Sequence, residues 1–90
     1  MQFPETLHRL EREFRAYYHA LPGLLADGAA GRYVLVKGSD VLSLWNDAED
    51  GLQAAVDRFG PGSHFLLRKV SQSDVELLRP FFALAPAVAV

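Results

Sequence analysis

The chain has 90 residues, half of them hydrophobic, with a net charge of −2 and no cysteine. That length makes one domain with a thin core, burying about 60–65% of the surface its unfolded chain exposes, and the apolar content excludes a disordered chain. The missing cysteine excludes disulfides, thiolate metal sites and cysteine nucleophiles and suits a cytoplasmic location, while the acidic balance speaks against a nucleic-acid binder, which carries a basic face.

Glu5, Arg9, Glu11, Arg12, Glu13 and Arg15 interrupt every apolar run near the N-terminus, so no signal peptide is expected. No run reaches the roughly 20 apolar residues of a membrane span. From Pro4 to about Ala20, Phe3, Leu7, Leu10, Phe14, Tyr17, Tyr18 and Leu21 form one stripe at helical spacing. Pro4 suits a first helical position, and Glu5/Arg9 and Glu11/Arg15 are i,i+4 pairs on the solvent side. Pro22 disfavours a helical Leu21, which predicts a kink or break there. One more short turn can then run to Asp27 before Gly28 closes it.

Arg32–Lys37 and Asp40–Trp45 read as strands joined by Gly38-Ser39, the composition of a two-residue type II′ hairpin. An uninterrupted ladder places Lys37 opposite Asp40, Val36 opposite Val41, Leu35 opposite Leu42, Val34 opposite Ser43 and Tyr33 opposite Leu44. One face then carries Tyr33, Leu35, Leu42 and Leu44, and the other Val34, Val36, Val41 and Trp45. Both faces are apolar, so each needs a cover. A second helix follows, capped by Asn46 or Asp47. Asp47, Glu49 and Asp50 complement its N-terminal dipole, and Ala48, Leu52, Ala55, Val56 and Phe59 form its buried stripe. Gly51 costs about 1 kcal/mol in that helix relative to alanine. Gly60 and Pro61 end it. His64–Val70 reads as a third strand, reached by a right-handed crossover. Ser73-Asp-Val-Glu76 matches a capping box, so the segment to Arg79 is either a short helix halted by Pro80 or an extended tail.

The expected fold is α+β. An N-terminal helix precedes a β-β-α-β unit whose three-stranded antiparallel sheet, in order 2-1-3, packs with two helices. A single domain spans 1–90, divided into a helical segment over 1–27, the β-β-α-β unit over 31–70 and a tail over 71–90.

Nothing in the sequence marks a catalytic residue, a metal site or a cofactor site. His8, His19 and His64 lack metal-ligand spacing. The acids Asp47, Glu49, Asp50 and Asp57 are the only acid cluster, and capping explains the first three; they also make that helix N-terminus a poor phosphate cradle. Ser39 and Ser43 have no base placed beside them by any motif, and Gly60-Pro-Gly62 lacks the ending of a phosphate loop. Arg32, Lys37, Arg68 and Lys69 with His64 make either a small anion patch or a protected sheet edge. The apolar segment Ala83–Val90 either packs on its own domain or a symmetry mate, or is read by a partner groove or a protease.

The stretch Gly31-Arg-Tyr-Val-Leu-Val-Lys-Gly-Ser-Asp-Val-Leu-Ser-Leu-Trp45, the acid-led helix after it and Phe65-Leu-Leu-Arg-Lys-Val70 resemble an uncharacterised group of small bacterial proteins, over roughly residues 20–70. The resemblance implies a helix–hairpin–helix–strand domain and no activity. The hairpin and the following helix are also loosely similar to the sheet of HicB-type antitoxins. Gly51-Leu52 stands here where those proteins have Ala-Leu, and the segment after Val70 is too short and apolar for a helix-turn-helix. Only the partner-binding half of that similarity carries over.

The expected function is therefore a non-enzymatic protein-interaction module, a homodimer or a subunit of a two-protein system, binding neither nucleic acid nor membrane. Its candidate interface is Val34, Val36, Val41, Trp45, Phe81 and Phe82. Two other readings stand beside it: a small-ligand or enzyme module around Tyr33, Trp45, His64 and Arg68, and an antitoxin-like or accessory inhibitor. If the two helices cover opposite faces of the hairpin, the monomer is self-sufficient. If both lie on one face, the other is an interface.

Overall fold

The computed structural model describes residues 5–82. A 3-10 segment, Glu5–Leu10, leads into helix α1 (Glu11–Ala26), followed by strands β1 (Tyr33–Lys37) and β2 (Asp40–Trp45), helix α2 (Ala48–Phe59), strand β3 (Leu66–Lys69) and helix α3 (Ser73–Phe82). The sheet has three strands in order β2-β1-β3, and both pairings are antiparallel. The fold is thus α+β with the expected topology. No helix among the described residues is long and apolar enough to cross a membrane.

The hairpin turn is the type its residues require. Gly38 has φ +62°, and no non-glycine among the described residues has positive φ, so only the first central position is left-handed, as in type II′. The turn is also tied down from outside the sheet. The Gly38 N–H donates to Glu13 Oε2 at 2.7 Å, and the Glu13 side chain is buried on α1.

The register departs from the simple ladder. Val36 pairs with Val41 as expected, but Leu35 pairs with Ser43, Val34 with Leu44 and Tyr33 with Trp45. Leu42 is the extra residue of a β-bulge. Beyond it every side chain of β2 changes face relative to the uninterrupted reading. Leu44 joins Val34 and Val36, while Trp45 joins Tyr33 and Leu35.

Each face of the sheet has its own cover. Phe14, Tyr17 and Leu21 of α1 and Leu78 and Phe82 of α3 enclose Val34, Val36 and Leu66 in one core. On the opposite face α2 covers Leu35, with Ala55 fully buried and Leu35 nearly so. There the backbone of α2 lies close against the sheet at Gly51. A Cβ on that residue would stand 2.8 Å from Leu67 Cδ1 and 3.3 Å from Trp45 Cδ1. Glycine therefore spares Leu67 a shift here, against its propensity cost. Gly51→Ala is expected to recover little of the ~1 kcal/mol that alanine normally gains in a helix, because Leu67 must move. Gly51→Leu should cost about 1–3 kcal/mol through overpacking. Urea midpoints of both variants check this, and a full propensity gain for alanine would mean that the approach is looser.

The helix boundaries correct the sequence reading at both prolines. The segment expected to break at Leu21 is continuous through Pro22 to Ala26. A proline there removes the helical donor to the Tyr18 carbonyl, but Tyr17 and Leu21 are both fully buried and hold the helix on the core. The irregular part lies earlier, in the 3-10 segment. Likewise α3 is a helix, and it continues through Pro80 to Phe82 with Leu78 and Phe82 in the core. The capping box is not what starts it. The Ser73 N–H donates to Ser71 Oγ at 3.3 Å, and Glu76 instead pairs with Arg79 at 2.9 Å. The third strand begins at Leu66 rather than His64, and Pro4 and Ala83–Val90 lie outside the described residues.

Candidate functional site

The most strongly interacting polar group in the fold is a buried bridge between α1, β3 and α3. Tyr17 faces the core because it lies on the apolar stripe of α1. Arg68 lies opposite Val34 in the register and so points to the same face. Asp74 sits in the first turn of α3, 3% exposed. The Arg68 guanidinium donates to Asp74 twice, Nε to Oδ2 at 2.9 Å and Nη2 to Oδ1 at 2.8 Å. Tyr17 donates its hydroxyl to Asp74 Oδ2 at 2.6 Å and accepts the Ser71 N–H at 3.4 Å. The guanidinium also lies over the rings of Phe14 and Tyr17, at 5.2 and 5.9 Å.

These contacts fix the ionisation of the three groups. Burial raises the Tyr17 pKa well above its ordinary value, and the hydrogen bond to Asp74 and the charge of Asp74 add to it. Burial also works to raise Asp74, but hydrogen bonds from Arg68 and then Tyr17 outweigh it, and the carboxyl lies below the usual carboxylate range. The hydrogen bond to Asp74 raises Arg68 further. Such perturbed groups mark active sites when they line a cleft. Here they satisfy one another, and no buried side-chain nitrogen or oxygen among the described residues lacks a partner. The arrangement locks α3 to the sheet.

The pH dependence follows with two opposite signs. Asp74 has a depressed folded pKa, so its stabilisation is present above the unfolded value near ~4 and is lost as pH falls through the folded pKa. Tyr17 has a raised folded pKa, so its contribution is present below about pH 10 and is lost as pH rises toward the folded pKa. In urea melts the stability difference between the wild type and Asp74→Asn should shrink below about pH 4. The alkaline loss should be smaller in Tyr17→Phe than in the wild type. A difference constant from pH 3 to pH 7 would remove Asp74 as its source.

The residues of the small-ligand reading do not converge. Tyr33 and Trp45 are cross-strand partners on the α2 face, where Trp45 Nε1 donates to Ser43 Oγ at 2.8 Å. Arg68 is on the other face, engaged with Asp74. His64 stands before β3, with Arg9 Nη1 3.1 Å from its Nε2 and Lys37 Nζ donating to its carbonyl. Arg32 donates to Asn46 Oδ1 at 2.9 Å. The cations read from sequence as one patch are thus spread over separate partners. No group of three or more His, Cys, Asp or Glu side chains among the described residues could hold a metal ion.

The candidate interface divides as well. Val34 and Val36 are fully buried and Phe82 is 1% exposed, so the chain's own α1 and α3 cover them and they offer no surface. Phe81 is partly buried against the same core, and Trp45 is partly buried at α2. Val41 alone of the six is open, at 39% exposure. It stands on β2, at one margin of the sheet. An open groove of about 450 Å³ beside it is lined by Arg12, Arg15 and His19 of α1 and by Ser39 and Val41 of the hairpin. Sequence reasoning missed both this groove and the bridge, because each joins residues far apart in the chain.

The two helices differ in charge. On α1 Arg12 and Arg15 offset Glu11 and Glu13, whereas α2 and its cap, on the other face, carry Asp47, Glu49, Asp50 and Asp57 against the single base Arg58. Comparison with protein-family models, curated proteins and solved structures gives no match.

Proposed function

We propose that the chain is a cytoplasmic, non-enzymatic protein-interaction module that works as a subunit of a two-protein system. The observation that carries this reading is the position of β2. Both faces of the sheet are covered from within, so a second copy is not needed to complete the core, and β2 keeps an open margin with an exposed valine. Unpaired strand edges are sites at which another chain adds by main-chain hydrogen bonding. The groups with perturbed pKa values support a non-enzymatic role, because they are spent on a closed structural bridge.

Sedimentation velocity over a wide concentration range, with co-expression of the products of neighbouring genes, tests the reading. We expect a monomer that co-purifies with one such product, and Val41→Glu should abolish the complex. A concentration-dependent dimer abolished by Val41→Glu would replace the two-protein reading with a homodimer. A monomer with no partner would overturn the interaction role.

A further inference from the structure

The β2 margin has the chemistry to select its partner. In the order β2-β1-β3, no strand among the described residues pairs with the outer side of β2. Helix α1 runs beside it, and Arg12, Arg15 and His19 lie three or four positions apart, which puts them on one stripe of the helix. All three are exposed. Three carboxylates lie near this stripe. Glu11 accepts from Arg15 at 3.3 Å, Glu13 accepts the Gly38 N–H at 2.7 Å, and Asp40 follows Ser39 at the start of β2. Arg12 donates to the neutral hydroxyl of Ser39 at 3.3 Å and meets no carboxylate among the described residues. The groove therefore has a helical wall bearing Arg12, Arg15 and His19, faced by Ser39 of the turn and the apolar Val41 of the edge strand β2.

We propose that this groove takes an extended, acidic segment of a partner protein. The segment adds as a fourth strand on β2 and sets its carboxylates against Arg12 and Arg15. The inference rests on the reading of the chain as an interaction module and names the partner's chemistry. One feature disfavours a second copy. Antiparallel pairing of β2 with itself about a two-fold axis normal to the sheet brings both α1 stripes to the same side, arginine toward arginine. A nucleic acid is disfavoured because it offers no main-chain donors and acceptors to a strand edge.

The test is selection of a displayed library of random twelve-residue peptides against the full chain. Enriched sequences should alternate Asp or Glu with β-branched residues. A synthetic peptide of a selected sequence should lose at least tenfold in affinity against the Arg12→Glu/Arg15→Glu variant. Methylation of alternate peptide nitrogens, which leaves charge unchanged, should weaken it as much. Amide shifts in the labelled chain should fall within residues 12–20 and 39–45. If the double variant does not fold, Val41→Glu on the opposite wall provides the same reading, since it places a like charge against the segment. Absence of enrichment, enrichment of neutral or basic peptides, indifference to charge reversal, or shifts elsewhere would overturn the proposal. So would displacement of the peptide by an oligonucleotide, or self-association lost in Val41→Glu. Peptides that bind away from the groove would overturn this site while leaving the interaction role intact. That role fails separately, if the chain is a monomer that co-purifies with nothing.

Discussion

Replacing Asp74 by alanine should lower the stability of the fold by about 3 kcal/mol, the low end of the range for breaking a buried ion pair. The low end applies because the Arg68 side chain keeps 29% exposure while Asp74 keeps 4%. The variant leaves a guanidinium facing aromatic rings without its carboxylate, and it removes the acceptor of the Tyr17 hydroxyl. For a domain of this size the loss corresponds to a fall in Tm of about 12–24 °C. Removing the whole network at once should be milder. In Tyr17→Phe/Arg68→Met/Asp74→Leu no buried charge is left without a partner and only the part-buried Ser71 N–H loses its long contact at 3.4 Å, so this variant should be more stable than Asp74→Ala. Thermal and urea melts of the two variants decide the point. If the triple variant is the less stable, the bridge contributes net stability beyond satisfying its own groups.

Phe82→Ala is the second large effect. Phe82 is 1% exposed at the end of α3, with its ring 5.9 Å from that of Tyr18 and the Arg15 guanidinium 5.1 Å above it. Truncating a buried phenylalanine costs about 3–5 kcal/mol, from lost burial and the cavity left behind. Phe81→Ala should cost about 1–2 kcal/mol, because that ring is only partly buried. The contrast separates two roles that adjacent phenylalanines leave ambiguous in a sequence. A core residue lowers the urea midpoint of the monomer, whereas an interface residue leaves it unchanged and alters association. Equal midpoints for the two variants would show that α3 does not dock through Phe82.

Much of this architecture is legible in the sequence, for local reasons. Gly38-Ser39 identifies its turn because only glycine tolerates the left-handed first position. Asp47 and Gly60 bracket α2 because helix ends need a side-chain acceptor at one end and a left-handed residue at the other; the Asp47 carboxylate takes the Glu49 N–H at 3.3 Å and Gly60 has φ +90°. The sheet order follows because the crossover through α2 sets β3 parallel to β2, so that β1 between them pairs antiparallel with both. What escapes is set by contacts between distant residues. Pro22 and Pro80 read as helix ends, but burial on both sides of each holds the helix despite the missing donor. The bulge at Leu42 is invisible because β2 is apolar on both faces there. With no polar residue to mark the solvent side, the alternation that fixes register is absent. Tyr17 lies 57 residues from Asp74 and Arg68 six residues from it on a different element, and their types suggest a solvent-facing ring tip, a surface cation and a helix-starting acid. Glu13 reads as one more surface acid, yet it anchors the hairpin turn.

The acids of α2 have a kinetic consequence. The chain carries a net charge of −2, so an acidic partner meets weak repulsion at long range and attraction only close to Arg12 and Arg15. Reversing an acid of α2, far from the groove, should speed the encounter without touching the bound state.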